Sequence, residues 1–135
     1  MAVIVKRPVI LKNIVTTTFK SQLTAELENA IRQIEMWLEQ EEFQSRRMIA
    51  EVQKRDMRRA NQLREDVKQE REKQEQVREN LKHKLEQVKL LEVNSFFISG
   101  TYDAPVKIEV GDNIRDKLSQ VEIIVKDGVV VQIIE

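Results

Sequence analysis

A long central stretch, residues 17–92, dominates the hydrophobic pattern of the chain. No glycine or proline occurs between Pro8 and Gly100, and strong helix formers are abundant there. The apolar residues recur every three or four positions, which is the spacing of one helical face. They are Phe19, Leu23, Leu27, Ala30, Ile34, Trp37 and Leu38, then Met48, Ile49, Val52, Met57, Ala60, Leu63 and Val67, then Val77, Leu81, Leu85, Val88 and Leu91. The pattern predicts one very long helix or two helices in a hairpin.

Two segments of this stretch, residues 39–47 and 66–79, are poor in apolar residues and favour the hairpin. If the chain reverses near residue 56, neighbours across the antiparallel pair have numbers that sum to about 112. The two segments that are poor in apolar residues then lie opposite each other. A single helix of 76 residues would span about 110 Å and leave the N-terminal strand without a partner in its own chain. A coiled coil between chains is the open alternative. The turn carries no glycine, so Asp56 and Asn61 are its N-cap candidates.

The residues before the central stretch are typical of β structure. Residues 2–15, AVIVKRPVILKNIV, are rich in β-branched side chains and predict one or two short strands. Because Pro8 cannot donate a ladder hydrogen bond, we expect it at a sheet edge or at a bend between Val5 and Val9. A threonine among residues 16–18 is expected to cap the first helix.

The residues after the central stretch predict further strands. Residues 96–102, FFISGTY, form a candidate strand with Gly100 as a turn or bulge. Val106, Ile108 and Val110 then alternate with charged residues, which predicts one apolar strand face.

Two turns are predicted in the C-terminal part of the chain. Residues 111–113 form the first turn, and Asp112 or Asn113 is expected to cap a short helix that runs through Leu118. Asp127-Gly128 separates two β-branched runs and predicts a two-residue type I′ hairpin. Apolar residues lie on both faces of these runs, so we expect both faces to be partly covered, as in a small barrel or a sheet beneath a helix.

Together these elements predict an α+β fold. A long antiparallel α-helical coiled-coil hairpin, residues 17–92, is joined to a small β-sheet or barrel. The β module consists of residues 1–16 and 93–135, with four or five strands in total. The chain reversal of the hairpin is expected near residues 50–60.

Composition narrows the classes of function. Charged residues make up 34% of the chain and aromatic residues 4%, which indicates much solvated helix surface and a small core. Lys plus Arg equals Asp plus Glu, 23 of each, so no global field attracts nucleic acid or membrane. Without cysteine there are no disulfides and no thiolate sites. No apolar run is long enough to cross a bilayer, and the N-terminus does not resemble a signal peptide, so we expect a cytoplasmic protein.

The sequence carries no recognisable catalytic chemistry. Phosphate-binding loops, nucleophile elbows, zinc-protease motifs and calcium loops are all missing. Asp103, Asp112 and Asp127 lie at predicted turns, where aspartate has a backbone role. His83 is interpreted as a surface residue and Trp37 as a packing residue of the hairpin seam. We therefore expect no enzyme, no cofactor, no bound metal and no small-molecule substrate.

The charge is distributed unevenly along the predicted hairpin. Residues 26–42 carry a net charge of −5, whereas residues 46–59, here called the tip, carry a net charge of +4. The basic residues of the tip are Arg46, Arg47, Lys54, Arg55, Arg58 and Arg59. They are candidates for contact with RNA phosphates or a partner. The alternative is that they form ion pairs along a solvated helix. Tip residues Met48, Ile49 and Met57 are apolar and are candidates for contact between protein chains.

The whole chain resembles the bacterial YlqD-like family. The resemblance rests on VIVKRPVILKNIVT, the long charged helical middle, VKIEVGDNIRDKL and the terminal VKDGVVVQI. Members of that family are largely uncharacterised and tend to be encoded beside ribosome-assembly and RNA-modification genes. The resemblance implies work on ribosomes or RNA, and it implies no catalytic residue.

Two functions are therefore expected. The first is a non-enzymatic accessory protein associated with ribosomal particles or RNA, with the basic tip as its contact element. Neutral net charge and the lack of stacking aromatics near the arginines weigh against it. The second is an oligomerisation or scaffolding protein whose coiled-coil arm binds other protein helices, including those of its own kind.

Overall fold

The computed structural model describes all residues 1–135 and has the predicted α+β architecture. The elements are β1 (Ala2–Ile14), α1 (Thr17–Gln53), α2 (Met57–Lys89), β2 (Phe96–Glu109), α3 (Ile114–Leu118), β3 (Val121–Lys126) and β4 (Val129–Ile134). They form two compact units. One unit combines Met1–Ser21 with Leu91–Glu135, and the other is Gln22–Leu90.

The four strands form one mixed sheet in the order β2-β1-β3-β4. β1 pairs antiparallel with β2 and parallel with β3, and β3 pairs antiparallel with β4. β2 and β4 are therefore the two edges of an open sheet, so the predicted barrel alternative is wrong. The buried apolar residues of this unit are Val15, Val121 and Ile124.

β1 is a single strand of 13 residues, so the prediction of one or two short strands is wrong in length. Pro8 does not bend or break the strand. It pairs with Asp103 of β2, while pairing with β3 begins only at Val9. Pro8 thus lies where β1 has a neighbour on one side only, as a residue without a backbone N–H requires.

β2 fuses the two segments that the sequence suggested as separate strands. Its register against β1 shifts where Leu11 pairs with Gly100 and Lys12 with Ile98, which leaves Ser99 as the extra residue of a bulge beside Gly100. Val106 and Ile108 are half-buried and alternate with exposed charged residues, as predicted. Val110 is 99% exposed and follows the end of the strand, so its predicted place on the apolar face is wrong.

The turn between β3 and β4 has the predicted geometry. Asp127 has φ = 50° and Gly128 has φ = 84°, and a type I′ turn requires positive φ at both positions. Thr16 provides the predicted cap of α1, since its Oγ1 accepts a hydrogen bond from the Phe19 backbone N–H at 3.0 Å. The same hydroxyl donates to Asp127 Oδ1 at 2.6 Å. One side chain therefore joins the helix start to the strand turn.

β4 differs from the prediction that both faces of the last two strands are partly covered. Val121 and Ile124 of β3 are buried, whereas all six residues of β4 are exposed. The predicted turn and cap around α3 are present, because Asn113 Oδ1 accepts from the backbone N–H groups of Arg115 and Asp116.

The helices α1 and α2 form the predicted antiparallel hairpin. Contacts across it join Glu42 to Arg71, Glu35 to Lys82 and Gln53 to Arg64, and the residue numbers of each pair sum to between 113 and 117. The buried positions of this unit are Leu27, Ile31, Leu38 and Ser45 of α1 and Ala60 and Val88 of α2. Trp37, which was predicted to pack in the seam, is 36% exposed and is not among these buried positions.

The hairpin turn is built without glycine. The Val52 carbonyl oxygen accepts from the backbone N–H groups of Arg55 and Asp56, at 3.0 and 2.8 Å. Asp56 is extended, with φ = −152°, and caps α2, as predicted. Its Oδ1 accepts from the backbone N–H groups of Arg58 and Arg59. The cap satisfies amide groups that the first turn of the helix cannot pair internally.

Replacing Asp56 by alanine is expected to destabilise the hairpin by about 1 kcal/mol, because two amide groups of α2 lose their acceptor. Asp56→Asn keeps an acceptor oxygen and should retain most of the stability. Urea unfolding followed by helical circular dichroism measures both variants. Equal loss in the two variants would contradict a capping role and indicate a purely electrostatic one.

Candidate nucleic-acid interface at the hairpin tip

All six predicted basic residues of the tip are exposed to solvent. Arg46 forms an ion pair with Glu42 one helical turn earlier, at 2.8 Å. The guanidinium of Arg47 lies over the ring of Phe43, at 6.0 Å from its centroid. Phe43 is 65% exposed, so an aromatic ring beside an arginine is present where the sequence suggested none. Exposed rings of this kind stack on nucleic-acid bases.

The other four basic residues, Lys54, Arg55, Arg58 and Arg59, form no ion pair. Asp56 lies among them, but its carboxylate caps α2 through backbone N–H groups. The alternative of ion pairing along a solvated helix therefore applies to Arg46 alone. Four cations at one chain reversal leave a local positive field on a chain of zero net charge.

A shallow groove of about 320 Å³ extends this basic surface onto both helices. Its apolar lining consists of Ile49 and Val67, and its cations are Arg46, Arg64, Lys68 and Arg71. Glu42 is the only acid that lines it. Guanidinium groups around an open concave surface match the geometry of phosphate oxygens.

Arg64 occupies the end of this groove near the turn and joins the two helices. It donates to Asn61 Oδ1 at 2.8 Å within α2 and to Gln53 Oε1 at 2.7 Å across the hairpin. Both acceptors are neutral amides. The guanidinium is thus held in place while its charge stays uncompensated.

The cations that α2 contributes to the groove were not among the residues predicted from the sequence. Arg64 and Lys68 lie outside the basic run 46–59, and they approach Arg46 only through the antiparallel pairing. The signal was nevertheless present, because 46 added to 64 or 68 gives a sum close to the value expected across the hairpin. A net charge counted over consecutive residues does not reveal a charged surface to which two helices contribute.

The seam beside the groove is polar at its centre. Arg71, Gln74 and Arg78 recur on α2 at spacings of three and four and are half-buried. Arg71 donates to Glu75 Oε1 at 3.1 Å and to the Leu38 carbonyl oxygen at 3.5 Å, and it lies 3.9 Å from Glu42. Arg78 Nε is buried without a hydrogen-bond partner. Apolar side chains at these positions would pack the hairpin more tightly.

The predicted contact residues for a protein partner differ in exposure. Met48 and Met57 are 56% and 53% exposed. Ile49 is half-buried and belongs to the lining of the groove. His83 is exposed, as predicted, with its Nε2 3.4 Å from Gln87 Nε2.

A family model described as "YlqD protein" matches residues 3–134, which is nearly the whole chain. The chain belongs to the YlqD family. A crystal structure of a protein of unknown function from Synechococcus sp. WH 8102 is similar throughout, with a TM-score of 0.87 and 27% sequence identity. The similarity covers 100% of this chain and 96% of that one. A comparison with curated proteins gives no significant match.

Membership of the YlqD family therefore agrees with the resemblance seen in the strands and turns. No helix in the structure combines the length and apolar character that a membrane span requires.

Replacing Arg71 by leucine is expected to stabilise the hairpin by about 1 kcal/mol, because an apolar side chain then fills a half-buried seam position. Glu42 keeps its partner Arg46 in this variant, and the Glu75 side chain, which is 40% exposed, is hydrated once it loses Arg71. Urea unfolding of Arg71→Leu and of Arg71→Ala provides the measurement. A loss of stability in Arg71→Leu as large as that in Arg71→Ala would show that the polar contacts stabilise the seam.

Proposed function

We propose that this YlqD-family protein is a non-enzymatic RNA-binding accessory protein of ribosomal particles, with the hairpin tip contacting RNA phosphates. The observation that carries the proposal is the set of four unpaired cations, Lys54, Arg55, Arg58 and Arg59, at the chain reversal. Cations without a carboxylate partner neutralise phosphates and release counterions, which drives binding at moderate salt.

The groove supports the proposal by adding cations next to the tip. Arg46, Arg64, Lys68 and Arg71 give the groove a net positive lining against Glu42 alone. Salt at physiological ionic strength confines the attraction to a Debye length of about 8–10 Å around this surface. The chain has no net charge that would add a field from the rest of the molecule. The protein is expected to engage a local run of phosphates and to bind extended nucleic acid only through this region.

Contacts to phosphates recognise the structure of an RNA and not its base sequence. Arginine and lysine contacts to phosphates position a protein on nucleic acid without reading the bases. Phe43 beside Arg47 offers one stacking surface for an unpaired base. We therefore propose that the tip binds a loop or bulge, where phosphates and an unstacked base are presented together.

Changing the four unpaired tip cations to glutamine is expected to weaken RNA binding at least 100-fold and to flatten its salt dependence. The slope of log K against log salt should decrease in magnitude by about 0.7 for each lost phosphate contact. Fluorescence anisotropy with ribosomal RNA fragments measures affinity. Co-sedimentation with ribosomal particles from a bacterial lysate, at low and moderate salt, measures binding to the particles.

The matched control changes four exposed lysines away from the tip, Lys6, Lys73, Lys84 and Lys126, to glutamine. Both variants have the same net charge, so a difference between them reports position and not total charge. Equal binding by the two variants, or failure of the unchanged protein to bind RNA or particles, would contradict the proposal.

Scaffolding through the hairpin is the second candidate, and exposed apolar side chains support it. Besides Met48 and Met57, α1 exposes Met36 (54%) and Phe43 (65%). These two lie seven residues apart, which is about two turns, so they share one helix face. Apolar residues repeated on a helix face can pack against a partner helix. Packing of this kind between the hairpins of two chains would form an intermolecular coiled coil.

The scaffolding candidate makes a separate expectation. Met48→Gln with Met57→Gln should abolish capture of a protein partner or self-association through the tip while leaving RNA affinity within about two-fold. Cross-linking followed by mass spectrometry measures the protein contacts. Loss of RNA binding in this variant with unchanged cross-links would exclude this candidate.

A further inference from the structure

The four cations of the groove divide into two pairs. Arg46 and Arg71 both lie beside the carboxylate of Glu42, with nitrogen–oxygen distances of 2.8 and 3.9 Å. Arg64 and Lys68 line the same groove and form no ion pair. The positive charge of the groove that no carboxylate offsets therefore belongs to Arg64 and Lys68.

Arg64 is held by two hydrogen bonds whose acceptors are both uncharged. It donates to Asn61 Oδ1 at 2.8 Å and to Gln53 Oε1 at 2.7 Å, so its guanidinium is fixed between the two helices. These bonds use two of its five N–H donors and leave three. A carboxylate in either place would bond more strongly but would offset the charge. The two amides thus fix the guanidinium while its charge and three donors stay available to another acceptor.

Lys68 lies one helical turn after Arg64 on α2, so the two side chains share one face of the helix. Both are exposed to solvent. Like charges at this spacing repel each other and slightly destabilise a helix. A phosphate group between them would replace the repulsion by two attractive contacts, because each cation can bind a different oxygen. The pair has the charge and the spacing of a site for one phosphate group.

We propose that Arg64 and Lys68 form a phosphate-binding site in the groove, and that Gln53 and Asn61 are positioning residues for the Arg64 guanidinium. This inference rests on the proposed function, and it assigns to the groove one particular phosphate of the bound RNA. Arg64 supplies a planar fork and Lys68 a point charge. The same chemistry accepts a phosphate group of a small molecule, which the last experiment below separates from RNA.

The fixed guanidinium distinguishes this site from the rest of the basic surface. The four unpaired cations of the tip have no side-chain hydrogen bond, so each loses rotamer freedom when it binds a phosphate. Arg64 has already lost part of that freedom through its bonds to Gln53 and Asn61. The groove is therefore expected to define which phosphate of the RNA binds there, whereas the tip adds attraction that depends less on position.

Gln53→Glu with Asn61→Asp, here called the acidic variant, keeps both acceptor oxygens and offsets the charge that they surround. It is expected to weaken binding of ribosomal RNA fragments at least 10-fold. The slope of log K against log salt should decrease in magnitude by about 0.7 for the lost phosphate contact. Fluorescence anisotropy measures both quantities. Because the bonds to Arg64 are retained, a merely structural role of the two amides would leave RNA binding unchanged.

The matched control for the acidic variant is Asn29→Asp with Gln33→Glu, which makes the same change in net charge at exposed positions of α1. Gln33 lies 13 residues before Arg46, which is about 20 Å along the helix and more than a Debye length. The control should bind RNA within about two-fold of the unchanged protein. An equal loss of binding in both variants would overturn the proposal, because net charge alone would then account for it.

Gln53→Leu with Asn61→Leu tests the positioning role separately, since it removes both acceptors and leaves the charge of Arg64 unchanged. RNA affinity should fall about three- to five-fold, because the guanidinium must then be ordered on binding, while the salt slope stays the same. Circular dichroism verifies that this variant and the acidic variant keep the helix content of the unchanged protein. Unchanged affinity in the leucine variant would overturn the positioning role.

Inorganic pyrophosphate separates the site from the proposed function, because its binding does not require RNA. In nitrogen-15-labelled protein, the Nε–H signal of Arg64, assigned by its loss in Arg64→Lys, should shift on titration with pyrophosphate. The acidic variant should show no such shift. A shift at Arg64 in a protein that binds no RNA would support the site, with a phosphorylated small molecule as its ligand, and would contradict the proposed function. RNA binding that the acidic variant leaves unchanged would overturn the site while the proposed function stands.

Discussion

The backbone of Val15 closes a loop of 78 residues, 16–93, that contains the whole helical hairpin. Its N–H donates to the Ser95 carbonyl oxygen at 2.8 Å, and its carbonyl oxygen accepts from the Asn94 N–H at 2.7 Å. The strand pair β1–β2 continues directly from these bonds, although residues 17–89 lie between the strands in sequence. Closing such a loop as a flexible chain would cost conformational entropy before any strand contact formed. The hairpin removes most of that cost, because two antiparallel helices bring their outer ends together.

The hairpin itself combines stability with a charged surface. Its buried positions lie mainly where α1 carries Leu27, Ile31 and Leu38, while the centre of α2 contributes Arg71 and Arg78 to the seam. Polar residues at such positions lower the stability of a helix pair. The same residues supply positive charge beside the groove and limit how tightly the helices pack there. The positive charge beside the groove and the packing of the seam therefore depend on the same side chains.

Much of the fold follows from local chemistry in the sequence. The helix lengths, the Asp56 cap, the Asp127-Gly128 turn and the α3 cap were predictable, because each depends on neighbouring residues alone. The single long β1 was not, because whether Pro8 is tolerated depends on which side of the strand has a neighbour. Similarly, the apolar pattern of β4 indicates what the strand can pack against, but it does not indicate whether its own chain supplies a cover.

The candidate site was predictable only in part, for the same physical reason. The basic residues of the tip are consecutive enough in sequence to be recognised, whereas Arg64 and Lys68 join Arg46 across the hairpin. Trp37 illustrates the limit of spacing as a guide to burial. It shares the three-and-four spacing of the apolar face, yet it lies at the margin of the buried stripe and remains 36% exposed. Spacing identifies a face, and only the neighbouring helix defines which part of that face is buried.

The antiparallel pairing of α1 and α2 has a consequence for how the family can vary in length. Seven residues added to one helix alone would shift all the contacts on one side of the insertion out of register. Seven added to both would preserve the faces, since seven residues complete about two turns, and would extend the hairpin by about 10 Å. The Asp56 cap and the cations beside it would stay together at the chain reversal. The length of the hairpin and the chemistry of its chain reversal are therefore separable properties of this fold. Matched insertions or deletions in the two helices can change the length without altering the residues at the reversal.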